Sequence, residues 1–453
     1  MKKLEEKVNE GANEGVSLRG LYFDGKRDLT ITKERKGERF FRKDVVEEHI
    51  CLVNEPGTEY IGHVTPKSGR SDDISSSIKD FLRGNFDVST LEVIGCDGTV
   101  GNTGKRNGNM RQIEIFVNKP LQRVVCLLHF NELTLRHLAK HLDGPTQGPA
   151  TTSGPIGIAI LDCERKPVQE FEAIQEDWVA STVSRMRGVT DLSCDQQLLL
   201  DTCAAVSSGC CPPNIAEMKP RPVVQSRWLT TATRVLQLYM SESTPSTELR
   251  QLSEFIMRVY APTWFAIKLA PTIAEGARHL WGVIEKSRDL PADLRRVVDD
   301  VIGHNAFFAH PENSLISMMC DEDPSVRELG WRQIKKARTK TSKEGMIRQF
   351  VVPLLRENAT SYVDMIDWEA TPITEPPLTR KILDQEITNN IKTRATFEEA
   401  RHFLCHTQGV ERLIRLVSVT VELILTSALA EKGNKLAAAK SALYPSESED
   451  DSG

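Results

Sequence analysis

The chain has 453 residues, 40% of them apolar, and a formal net charge of −5 at pH 7. That balance fits a globular protein of two or three domains with a large core. It excludes a uniformly basic nucleic-acid coat while leaving room for local basic patches. No apolar stretch reaches the roughly 20 residues of a membrane span, and the charged start MKKLEEKVNEGANEG lacks an apolar signal core. The expectation is a soluble, intracellular protein with no membrane partner.

Ten cysteines are spread along the chain without a C-x-x-C pair, which does not suit a secreted disulfide framework. Cys210 and Cys211 are adjacent, with prolines beside them, as in a loop. Cys126 and His129, in VVCLLHFNELTLRHL, form a C-x-x-H pair that His137 and His141 could complete as a zinc site. The apolar run around Cys126 favours a buried cysteine instead.

In chain order, residues 1–16 read as a frayed, charged tail. Leu21 to Asp24 gives the first strand signal and LTITKER from Leu29 the second; DGKRD lies between them and suits a hairpin turn. EEHICLVNEPG supplies a third strand, and YIGHVTPKSGRSDD follows as a proline- and glycine-containing connection. Ile74, Ile78, Phe81 and Leu82 recur at helical spacing behind cap candidates at Ser71 to Asp73. LEVIGCDGTVGNTG is an apolar run that stops at Asp97 and breaks into glycines, the pattern of a buried strand that ends in a carboxylate. Met110, Ile113 and Val117 mark a further helix, RVVCLLH a fifth strand, and NELTLRHLAKHLDG a third helix.

The order β-β-β-α-β-α-β-α predicts a mixed five-stranded sheet with helices on its faces, which is the element order of the ribonuclease H fold. In that fold the first and fourth strands are neighbours, so Asp24 and Asp97 should lie side by side. Carboxylates at strand ends can hold hard divalent ions. The competing reading of Asp97 is a cap for the helix that follows. Beyond a loop rich in proline and glycine after Gly144, apolar residues three or four apart signal a series of helices without internal repeat. Among them, QSRWLTTATRVLQLYM places Arg227 and Trp228 just before a helix; a core tryptophan is the plain alternative there. After the linker TPITEPPLTR, a long amphipathic segment carries Glu411 near its start, and SALYPSESEDDSG closes the chain as an acidic tail.

Asp-Gly at the first strand, CDGTVGNTG at the fourth, C-x-x-H at the fifth, Arg-Trp before a helix and Glu-Arg near the C-terminal end together resemble the hAT superfamily of cut-and-paste DNA transposases. They resemble in particular a group of transposon-derived proteins repeated in invertebrate genomes. The resemblance runs from Leu21 to about Leu425. It implies an α/β, ribonuclease H-like core in residues 17–155, an all-helical insertion in 156–395, a C-terminal helix in 396–431 that completes the core, and a disordered acidic tail in 432–453. It further implies that Asp24, Asp97 and Glu411 hold two Mg2+ or Mn2+ ions for DNA strand cleavage and transfer, and that Cys126 and His129 are structural. Arg227 and Trp228 would then contact DNA, with the tryptophan stacking on a base, in a nuclear protein able to form homo-oligomers.

The residue types suit that chemistry, since two ions between carboxylates stabilise the attacking and leaving oxygens of an in-line displacement at phosphorus. Lys105, Arg106 and Arg111 are further candidates for phosphate contacts, against a plain solvated face. Two features point elsewhere: no cysteine precedes Cys51, so the zinc-binding recognition domain usual in the family is expected to be absent, and the net charge is mildly acidic. A domesticated, inactive relative serving as a DNA- or protein-binding scaffold is therefore the alternative, with an unrelated nuclease of the same fold as a third reading. Without a recognition domain, DNA binding should be weak, sequence-tolerant and salt-dependent.

Overall fold

The computed structural model describes residues 17–36, 39–146, 153–186, 192–219, 228–339, 350–371 and 402–410. The expected tails at 1–16 and 432–453, the proline-rich linker, Arg227 and Glu411 lie outside the described residues.

Five strands form one sheet: β1 (Gly20–Lys36), β2 (Arg39–Glu55), β3 (Glu59–Val64), β4 (Val93–Cys96) and β5 (Gln122–Val125). Their order is β3-β2-β1-β4-β5. β1 pairs antiparallel with β2, and β2 with β3; β1 pairs parallel with β4, and β4 with β5. Three hairpin-linked strands followed by two reached through helices is the ribonuclease H-like arrangement, as the element order predicts.

The strand boundaries differ from the sequence reading. Asp24 to Asp28 is no turn: β1 runs unbroken from Gly20 through LTITKER to Lys36, each residue opposite a β2 partner. The turn signal of DGKRD is overridden by cross-strand partners, among them Arg27 opposite Glu48 with 3.8 Å between their charged groups. The reversal falls between Lys36 and Arg39, and the third strand lies in EYIGHV, which the sequence suggested was a connection. β5 ends at Val125, so His129 belongs to the following helix and not to the strand.

Alternation along the strands sorts their side chains onto two faces. Leu21, Phe23, Ile94 and Val125 share a core with Ile78 and Leu82 of helix α1 (Ser71–Asn85) and with Met110 and Ile113 of helix α2 (Asn109–Val117). Tyr22, Val53, Val93 and Val124 face the other way, toward helix α3 (Leu127–Asp143) and the helical region beyond it. Gly95 is required on β4 because a Cβ there would come within 2.8 Å of the Tyr22 ring.

The helical region contains α4 (Trp178–Met186), α5 (Cys194–Ser208), α6 (Trp228–Met240), α7 (Thr247–Phe255), α8 (Ala261–Leu269), α9 (Gly276–Ser287), α10 (Ala292–Asn305), α11 (Pro311–Met319) and α12 (Pro324–Thr339). α5 opens with a Ser193–Gln196 capping box, and Trp178 stacks on Phe265 at 6.1 Å while its Nε1 donates to the Met257 carbonyl at 2.8 Å. One contact ties this region to β5: Gln122 Nε2 donates to Asn313 Oδ1 of α11 at 2.7 Å.

Residues 402–410 bring the chain back to the sheet. The Tyr22 hydroxyl donates to the Leu404 carbonyl at 2.5 Å, the Leu127 amide to the Cys405 carbonyl at 3.0 Å, and the Ile273 amide to the Phe403 carbonyl at 3.0 Å. Phe403 fills the space left by the missing side chain of Gly20, where a Cβ would come within 2.6 Å of its ring.

Helix α2 is fastened to β5 by a buried ion pair. Arg123 Nη2 and Nε reach the two Glu114 oxygens at 2.7 and 3.2 Å, and the Leu121 amide donates to the same carboxylate at 3.1 Å. Arg123 is 0% exposed and Glu114 2%. Removing one partner of such a pair strands the other charge in the core, which costs about 3–5 kcal/mol. Glu114→Gln should therefore lower the urea-unfolding free energy by about that amount, and adding Arg123→Met should restore most of it. A Glu114→Gln chain as stable as the wild type would show that the pair does not hold the sheet.

Candidate functional site

The parallel β1–β4 ladder ends at the pair Tyr22 and Gly95. Asp24 and Asp97 each sit two residues past that pair, Asp24 within β1 and Asp97 one residue beyond the end of β4, so they occupy matching positions along the two neighbouring segments. Asp24 is not at a strand end, because β1 continues beyond it, but it stands where the parallel pairing stops. The charges of both aspartates act on the buried Cys96 thiol, raising its pKa further after burial has already done so. Asp24 also acts on Cys51 directly opposite it, whose thiol is pushed up to about 12 by burial first and that carboxylate second.

The two carboxylates are held differently. Asp24 Oδ1 accepts from the Gly25 amide at 2.7 Å, a local bond that leaves it on the rim of the sheet. Asp97 Oδ1 accepts three bonds from the turn that follows: from the Thr99 amide at 3.1 Å, the Thr99 hydroxyl at 2.8 Å and Asn102 Nδ2 at 2.6 Å. This is the capping behaviour of a carboxylate before a helical turn, here Val100–Thr103. Thr99, the formal cap of that turn, makes no side-chain cap bond itself.

The hydrogen bonds continue away from Asp97. Asn102 Oδ1 accepts from Asn109 Nδ2 at 2.6 Å, and Asn109 Oδ1 accepts from the Ser71 hydroxyl at 2.9 Å. The chain of amides thus links the end of β4 to the first residues of α2 and α1. Asn102 and Asn109 were not singled out from sequence; the local signal is the asparagine in each of the glycine-rich runs GNTG and NGNM, where an amide can serve two neighbours at once.

Cys126 and His129 flank the same place. Cys126 extends the β4–β5 ladder, its amide donating to the Cys96 carbonyl at 2.9 Å, and its Sγ accepts from the Thr407 amide at 3.4 Å. His129, one turn into α3, packs against the Asp97–Gly98 turn: a Cβ on Gly98 would lie 3.3 Å from its Cδ2. His137 and His141 are exposed farther along α3 while Cys126 is 1% exposed. Among the described residues no three histidine, cysteine or acidic side chains gather as a metal-ligand group.

The basic and aromatic candidates are placed as follows. Lys105 and Arg106 are exposed in the turn between Thr103 and α2, beside the Asp97 network. Arg111 is partly buried and pairs with Glu114 at 3.3 Å, which adds it to the buried ion pair and takes it off the solvent face. Trp228 is 4% exposed at the start of α6, within the apolar core of the helical region. The last described residues before Glu411 sit near the β2–β3 turn, where a Cβ on Gly409 would come within 2.2 Å of Thr58.

Burial lowers the His129 pKa, an effect that the nearby Asp97 charge opposes in part. With the folded value below the ordinary value of about 6.5, the unfolded chain binds a proton in that window and the folded chain does not. Stability is therefore lost as the pH falls below about 6.5. His129→Asn should flatten the pH dependence of urea unfolding there by at most about 1.4 kcal/mol per pH unit. An unchanged slope would show that His129 titrates as freely in the folded chain as in the unfolded one.

No protein-family model matches the sequence, and no curated protein matches it. Among solved structures, the Drosophila P element transposase strand transfer complex is similar to this chain at 10% sequence identity and a TM-score of 0.25, with 87% of this chain and 72% of that chain covered. That likeness is too distant to carry weight, and the ribonuclease H-like assignment rests on the strand order and pairing.

Proposed function

We propose that this chain is a transposon-derived, ribonuclease H-like scaffold that binds DNA or protein and in which Asp97 serves as a structural cap. The observation that carries the reading is the commitment of Asp97 Oδ1 to three donors of its own turn. The burial of Trp228 supports it further, because a ring enclosed in a core is not offered to a base. Descent from hAT transposases, a division into a core at 17–155 and 396–431 with a helical insertion at 156–395, a nuclear location and self-association all belong to this proposal.

A second reading is favoured by the matching positions of Asp24 and Asp97, each two residues past the last pair of the parallel β1–β4 ladder. In it Asp24, Asp97 and Glu411 hold Mg2+ or Mn2+, and the ions supply an activated nucleophile and stabilise the leaving oxygen of a cleaved DNA strand. Two carboxylates at one sheet rim suit such hard ions. Lys105 and Arg106, exposed next to Asp97, would then meet the phosphate backbone.

Asparagine caps a helix as well as aspartate does but is a poor ligand for a hard cation, so one substitution separates the readings. On the scaffold reading Asp97→Asn keeps the stability of the wild type and leaves Mn2+ affinity in calorimetry unchanged, while Asp97→Ala loses about 1 kcal/mol in urea unfolding. The wild type likewise leaves hairpin and terminal-repeat DNA intact in Mn2+. Metal-dependent cleavage that disappears in Asp97→Asn would overturn this proposal in favour of the enzyme.

A further inference from the structure

β1 and β2 outrun the rest of the sheet. β4 meets β1 only from Gly20 to Tyr22, and β3 meets β2 only from Ile50 to Asn54. From Lys26 opposite His49 to Lys36 opposite Arg39, the two strands pair with each other alone among the described residues. At about 3.4 Å per residue these eleven pairs make a two-stranded arm roughly 37 Å long.

Charge is unevenly placed on that arm. The distal run KERKGERFFRK, residues 33–43, holds six basic residues against two acidic ones, a net charge of +4 in a chain whose total is −5. Arg39, Phe41 and Lys43 are alternate residues of β2 and so share one face, and all three are exposed, Phe41 by 48%. Arg42 is exposed on the opposite face. Arg42 pairs with Asp44 at 3.2 Å and Lys43 with Glu34 at 3.7 Å. Exposed pairs of this kind contribute little, and a polyanion can displace them.

We propose that this ribbon is a DNA-binding arm that enters a groove of duplex DNA, with Arg39, Arg42 and Lys43 on the phosphates and Phe41 against the sugars and base edges. The inference rests on the scaffold reading and names its partner and its surface. A two-stranded ribbon fits a major groove about 12 Å wide, and the arm is slightly longer than the roughly 34 Å of one helical turn. An acidic protein partner fits less well, because a protein interface needs a well-packed apolar centre. Among the described side chains of the arm's other face, the cross-strand pair Leu29 and Val46 is exposed, by 62% and 53%, and that pair is too small for such a centre.

The test uses the full chain and a fluorescein-labelled random duplex of roughly 25 base pairs, longer than two helical turns. Anisotropy titrations run from about 50 to 200 mM salt. The arm variant Arg39→Glu/Arg42→Glu/Lys43→Glu is compared with Arg165→Glu/Arg295→Glu/Arg332→Glu, an equal charge change on exposed positions of the helical region. The arm variant should lose about tenfold or more in affinity at low salt and about 2.7 from the salt slope, while the helical-region variant changes far less. Matching thermal unfolding of all three proteins establishes that the folds are intact. Equal losses in both variants, or an arm variant that binds like wild type, sink the arm and leave the scaffold reading standing. A wild type that binds no duplex at the lowest salt overturns both the arm and DNA as the scaffold's partner, whereas cleavage in Mn2+ would count against the scaffold alone.

Discussion

The ion pair between Glu114 and Arg123 is the constraint on which the candidate site depends. Arg123 lies on β5, an edge strand of the sheet, with no access to water, and a carboxylate delivered by the neighbouring helix makes that position tenable. Glu114 thereby fixes α2 against β5. Because α2 begins at Asn109, the same fastening sets the amide chain through Asn102 to Asp97. A charge pair on the α1/α2 side of the sheet thus orders the turn that follows β4 and holds the Asp97 carboxylate.

The other side of the sheet is organised by packing and by one returning segment. Residues 402–410 run between the helical region and the strands, and their backbone takes bonds from β1, α3 and Ile273, the first residue of the turn that leads into α9. The Tyr22 hydroxyl is buried, which raises its pKa well above the usual phenolic range, so it serves as a fixed donor to Leu404. That bond places the C-terminal segment within one strand of the two aspartates whether or not a catalytic residue follows it.

Asp97 illustrates why a strand-end carboxylate supports two functions with the same local geometry. A carboxylate before a glycine-rich turn satisfies the amides of that turn, and the same position at the rim of a parallel ladder is where ions gather in α/β sheets. A cap uses one oxygen, and among the described residues Asp97 Oδ2 accepts no hydrogen bond. The scaffold reading needs only the first role, and it transfers the work of binding from the sheet rim to surfaces such as the β1–β2 arm.

Much of the fold was legible in the sequence because it is written in local periodicity. The helices at 71–85 and 109–117 and the strand before Asp97 follow from the spacing of apolar residues, and the neighbouring positions of Asp24 and Asp97 follow from the fold that the element order implies. Tertiary pairing decided the rest. DGKRD carries turn residues yet stays extended, since each of its members has a cross-strand partner on β2, and no local rule sees a partner that distant. His129 moved from strand to helix because a run of apolar residues reads alike in either until the β4 ladder fixes where β5 stops. Arg123 looks like a surface residue by type and Trp228 suits a base or a core alike, and the arrival of Glu114 on one and of the helical core around the other makes them interior. The sequence determined the fold class, the helices on one face of the sheet and the strand before Asp97; where the first three strands begin and end, which charges are buried, which aromatic is enclosed and how far two strands run past their sheet depended on contacts between residues far apart in the chain.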